Sequence, residues 1–228
     1  MVLDAASEGF NYENVTQDAA YQKSVELLVQ MGIAAQSGDF LGYMRNCGIE
    51  LSEVPSTQEL IAKLGEAVDD VAWQNYSVKN EIGEFAKLAL CNAVSQCAEN
   101  ERSQDIPGLI ERPDISVFNS FGTRANFSEM NQSFISQVTA RSIKSYLAQI
   151  VPNLAGVEQR VSSIHEITAA YKALEQYCYE TAKVHRVYAT EWLGKHQYQL
   201  KDMNEITMKK HANFMVMKML RALKYGKD

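Results

Sequence analysis

Apolar residues recur every three or four positions in long runs along this chain, the period of an amphipathic helix. Tyr21, Val25, Leu28 and Gly32 share one such face and predict a helix over about 17–36, with Thr16 as its cap. Ser37-Gly38-Asp39 breaks the pattern, and a short helix over 40–47 ends at Gly48. Ser56 stands three residues before Glu59, the spacing of a capping box, and Leu60, Leu64, Ala67, Val68 and Val71 follow on one face. A further helix opens at Ser77. Its wide stripe of Ile82, Phe85, Ala86, Ala89, Leu90, Ala93, Val94 and Cys97 predicts deep burial and an end near Glu99.

Residues 100–126 differ. Pro107-Gly108, Pro113 and Gly122 punctuate them, and only 115–121 alternates in the manner of a strand. Their apolar side chains predict an irregular segment that packs, of a length that often carries function. Asn126 and Glu129 repeat the capping-box spacing before a helix over 127–150 that ends at Pro152. A helical pattern over 157–193 follows, with a break at Ser162-Ser163. A last, methionine-rich helix starts at Asp202 and stops at Gly226. The expectation is an all-α fold of seven or eight helices, with two helical lobes. An extended arm (1–15) precedes an acidic lobe (16–99), the irregular linker (100–126) and a basic lobe (127–228).

Charge separates the two halves. Residues 1–114 hold 7 basic and 19 acidic side chains, a balance of −12. Residues 115–228 hold 15 basic and 9 acidic, a balance of +6, and all four histidines. Such asymmetry points to electrostatic partners: a polyanion on the basic half, or the acidic half of a neighbouring copy. The alternative is neutralisation within one folded chain. The four cysteines are too few and too scattered for a disulfide framework, so reduced thiols in an intracellular, reducing compartment are expected. No run of about 18 uncharged apolar residues is present, and the first residues do not read as a secretory signal.

The motifs that announce common enzymes are missing. The sequence holds no HExxH, no Cys-x-x-Cys, no Walker A loop, no Gly-x-Gly-x-x-Gly and no Gly-x-Ser-x-Gly. Asp69 and Asp70 beside Trp73 point about 100° apart on a helix and read as a solvated face. Cys178 and His185 lie two turns apart, roughly 10 Å, too far for thiol activation. They read as a buried cysteine and a surface histidine. No cofactor or metal is expected.

Three positive signals remain. In the stretch from Tyr171 to Tyr198, Lys172, Lys183, Arg186 and Lys195 interleave with Tyr177, Tyr179, Tyr188 and Trp192, a pattern suited to phosphates and unpaired bases. Arg124 sits at a loop-to-helix junction, where free N–H groups favour anions, and Arg141 and Lys144 follow on the same helix. The last helix carries Met203, Met208, Met215, Met217 and Met219, a composition used at protein-binding surfaces as well as in cores. The leading expectation is a non-enzymatic, self-assembling structural protein of coat or nucleoprotein type. It would bind RNA backbone through Arg124, Arg141, Lys144, Lys183, Arg186 and Lys195, and latch onto copies of itself through Phe10 and Tyr12. One alternative is an adaptor holding a protein partner through Met208, Met215 and Met219. Another is an enzyme with an anion site near residues 100–126.

Overall fold

The computed structural model describes residues 12–75, 81–103, 113–150, 164–196 and 205–226. Among them the chain is helical, with ten helices and no strand. These are α1 (Tyr12–Gln17), α2 (Ala19–Ser37), α3 (Phe40–Asn46), α4 (Thr57–Asn75) and α5 (Glu81–Ser103). Then follow α6 (Asp114–Ser120), α7 (Arg124–Ile150), α8 (Ile164–Thr181), α9 (Val184–His196) and α10 (Glu205–Tyr225).

The helix count exceeds seven or eight because two short helices and one break carry weak periodic signals. α1 occupies the end of the expected arm; residues 1–11, with Phe10, and the Tyr12 side chain lie outside the described residues. α6 replaces the alternating stretch 115–121. The pattern over 157–193 divides at Ala182-Lys183, and the break expected at Ser162-Ser163 lies outside the described residues. So do residues 104–112 of the expected linker, whose flanks are helical through Ser103 and from Asp114.

Caps explain the starts. Asp18, not Thr16, opens α2: its carboxylate accepts the Tyr21 N–H at 2.7 Å, and a charged acceptor at a helix N-terminus also meets the macrodipole. Gly38 closes α2 at φ 80°, where a side chain would be strained. Ser56 accepts the Glu59 N–H at 3.0 Å. The Glu59 carboxylate turns instead to the Ser52 N–H and hydroxyl, both at 2.7 Å. Thr123, not Asn126, caps α7, accepting the Asn126 N–H at 3.3 Å. Asp114 ties three elements together: it accepts the Thr57 N–H at 2.6 Å and hydroxyl at 3.0 Å, and pairs with Arg102.

Among the described residues, one hydrophobic cluster runs from Val15 to Leu223 and takes in apolar side chains of both the acidic and the basic half. α7, 27 residues and about 40 Å long, packs on α5, α8 and α9. α2 packs on α3, α4, α5 and α10. Tyr21, fully buried, stacks near Phe134 at 5.9 Å and donates its hydroxyl to the Ala212 carbonyl at 3.0 Å, joining α2 to α10. α2 and α7 approach so closely that a Cβ on Gly32 would lie 2.6 Å from the Phe127 ring. One on Gly122 would lie 2.9 Å from the Gly32 carbonyl oxygen, so packing explains both glycines.

Candidate functional site: a polar groove between α5, α7 and α8

The groove originates in a stripe of small residues. Ser133, Ser136 and Ala140 recur at three- and four-residue spacing on α7, leaving a channel that longer side chains flank. α5 supplies Phe85, Asn92 and Gln96 as one wall, and α8 supplies Lys172, Glu175, Gln176 and Tyr179 as the other. Arg141 and Lys144, one turn apart, rise from α7 at the end nearer its C-terminus. The enclosed volume is about 640 Å³. A second hollow of about 310 Å³ adjoins it and shares Gln96, Ser133 and Tyr179; Asn100 and Glu129 lie at its edge.

A directional chain of hydrogen bonds ties the α5 wall to α7. Asn92 Nδ2 donates to Gln137 Oε1 at 3.0 Å, Gln137 Nε2 to Ser133 Oγ at 3.0 Å, and Ser133 Oγ to Gln96 Oε1 at 2.7 Å. The amide nitrogen of Gln96 ends the chain as a donor, since every earlier oxygen in it is already accepting. Gln132 donates to the Tyr179 carbonyl at 2.8 Å and fixes α8 against α7. Three further hydroxyls of α7 are spent inside the helix: Ser136, Thr139 and Ser142 donate to the carbonyls of Ser133, Ile135 and Val138.

The electrostatics are lopsided toward positive. Lys144 pairs with Glu175 and lies 5.5 Å over the Tyr171 ring. Arg141 and Lys172 have no carboxylate partner among the described residues. At the other end, Arg186 Nε donates to Gln132, and its guanidinium lies 3.9 Å from Glu129. Cys97, in the lining of the smaller hollow, is held in its thiol form: burial first, then Glu101 and Glu129, push its pKa up to about 12. No group of three or more His, Cys, Asp or Glu side chains among the described residues is placed to hold a metal ion.

Of the residues expected to meet RNA, Arg141 and Lys144 line this groove, and Arg186 stands beside its shallow end. Lys183 lies outside the lining and pairs with Glu180 one turn away at 2.6 Å. Arg124 is exposed on the first turn of α7, away from the lining. The Lys195 side chain lies outside the described residues.

The methionines of the adaptor reading, Met208, Met215 and Met219, are buried in the core and present no surface to a partner. The same helix turns its lysines outward, as burial of one face requires. His185 is also buried, not on the surface: Nε2 lies 2.8 Å from the Met215 carbonyl and Nδ1 3.2 Å from that of Ala182. Lys172 and Tyr179 belonged to a recognised basic and aromatic stretch. The amides of Asn92, Gln96, Gln137 and Gln176 have one sequence signal, the small-residue stripe of α7 that leaves room for them.

Among the described residues, no helix is long and apolar enough to cross a membrane. No family model, curated protein or solved structure matches the chain.

Proposed function

We propose that the chain is a non-catalytic, self-associating helical protein of coat or nucleoprotein type, which takes the phosphate backbone of single-stranded RNA in the α5–α7–α8 groove. One observation carries this reading. Three cations from two helices, Arg141, Lys144 and Lys172, converge over amides and hydroxyls, and two of them have no carboxylate partner among the described residues. Cations that neutralise phosphates release the counterions condensed on a polyanion, which drives association. The Tyr179 and Phe85 rings in the same lining offer π-faces to unpaired bases. Amides and hydroxyls suit the 2′-hydroxyl, which donates and accepts.

The chain is acidic, with a pI near 5.3, and repels polyanions from most of its surface. Binding is therefore confined to the groove and to the basic half. Named ion pairs support segregation of charge: Lys87–Asp69 and Arg102–Asp114 lie within the acidic half, Lys144–Glu175 and Arg186–Glu129 within the basic half.

The test is fluorescence anisotropy of a labelled single-stranded RNA across a salt series. Wild type binds at low salt. Arg141→Glu and Lys172→Glu each weaken binding by about ten-fold or more and flatten the log–log salt dependence, by roughly 0.7 for each lost phosphate contact. Absence of binding at low salt, or binding unchanged by both substitutions, overturns the RNA assignment. Light scattering over a concentration series tests self-association, and a strict monomer overturns it.

A further inference from the structure

α4 and α10 carry opposite charge, and each exposes apolar surface beside its charges. α4 has 1 basic and 4 acidic side chains, a balance of −3; α10 has 5 basic and 1 acidic, a balance of +4. On α4, Trp73 is 61% exposed, an unusual exposure for the largest side chain. Asp70 and Asp69 lie three and four residues before it, on the same face. Asp69 is engaged by Lys87, whereas Asp70 has no partner among the described residues. The result is an aromatic knob beside an open carboxylate.

The matching hollow lies between α9 and α10. It encloses about 510 Å³ and is lined by Val187, Phe214, Met217 and Tyr225 together with Lys218 and Arg221. Val187 and Tyr225 are 64% and 78% exposed, so an apolar floor meets solvent. Neither Lys218 nor Arg221 has a carboxylate partner among the described residues. Lys218 lies over the Tyr188 and Phe214 rings at 5.5 and 5.7 Å. The site thus already holds one cation over aromatic faces.

We propose that Trp73 of one copy seats in the α9–α10 hollow of a second copy, with Asp70 against Lys218 and Arg221. The proposal rests on the self-association assigned above and names its two faces. Tryptophan and arginine are the residue types that dominate contact energies when they fill such hollows, and Arg221 over an indole adds a cation–π attraction. With one knob in one hollow per pair of copies, the contact is head-to-tail. It leaves a knob and a hollow open at the ends and extends to a ring or a filament.

Sedimentation velocity on the full chain, in low salt and over a concentration series, tests the contact. Wild type gives a ladder of oligomers that shortens as salt screens the charges. Trp73→Ala and Arg221→Glu, both at exposed positions, each weaken association at least about ten-fold and stay helical by circular dichroism. Mixing the two variants restores one intact contact, the hollow of the first with the knob of the second, and gives a dimer that cannot extend.

Three results overturn the proposal. Ladders that persist in both variants, or a mixture that stays monomeric, remove this contact and leave self-association through another surface. A wild type that is monomeric at every concentration removes the contact and the self-association together. RNA anisotropy on Trp73→Ala, far from Arg141 in the chain and outside the groove lining, reports on the groove separately.

Discussion

At the scale of single residues, His185 is a fully buried polar group held at both ring nitrogens. A neutral imidazole carries one N–H, yet both ring nitrogens face carbonyl oxygens. Burial dominates: it lowers the pKa from 6.5 to about 4, the two carbonyls pull it back upward in part, and Lys218 adds to the lowering. The folded value lies below the unfolded one, so the unfolded chain takes up the proton first as pH falls. The stability tied to this group is complete above about 6.5 and is lost between there and about 4, by roughly 3 kcal/mol. Denaturant unfolding at a series of pH values shows this slope. His185→Asn, which cannot titrate, removes it in the upper part of that window, before the carboxylates begin to protonate. A variant with an unchanged slope would place the titration elsewhere.

At the scale of helices, removing residues 203–228 unfolds the chain rather than freeing a detachable partner-binding element. α10 buries Met208, Ala212, Met215, Val216, Met219 and Leu223 and receives the Tyr21 hydroxyl. At about 1.5–3 kcal/mol for each large apolar side chain, the loss matches the whole stability of an ordinary domain. Loss of a cooperative thermal transition, followed by circular dichroism, is the expected outcome; a truncated chain that still melts sharply would contradict it. The methionines show where sequence reading stops. Their spacing located α10, but periodicity identifies an apolar face without saying whether this chain or another covers it. The same holds for caps. Ser56 was legible because a hydroxyl before an apolar run has one role. Thr16 misled because Asp18, two residues on, is the stronger acceptor. α1 and α6, of 6 and 7 residues, are too short for a period to register. Of the groove, Arg141 and Lys144 were legible as neighbours on one helix. Lys172 and the amides of α5 join them only through the packing of three helices, which no local pattern encodes.

At the scale of the whole molecule, a charge boundary and a mechanical boundary need not coincide. The chain changes sign near residue 114, yet α5 of the acidic half packs along α7 of the basic half. Ser145 donates to Glu81 and Asn126 to Glu101 across that boundary. The Tyr21–Ala212 bond closes a loop of 191 residues. The two signs separate along the sequence while apolar residues from both halves mix in the core, since burial is indifferent to the sign of what lies outside it. The halves therefore unfold together. The two tryptophans make this measurable, because Trp73 belongs to the acidic half and is exposed, and Trp192 belongs to the basic half and is 8% exposed. In a Trp73→Phe variant, fluorescence follows α9 alone while far-ultraviolet circular dichroism follows every helix. A shared core gives coincident midpoints by the two probes, in heat and in denaturant. Two independent lobes would give a fluorescence midpoint displaced from the dichroism midpoint, with the acidic helices melting in a separate step.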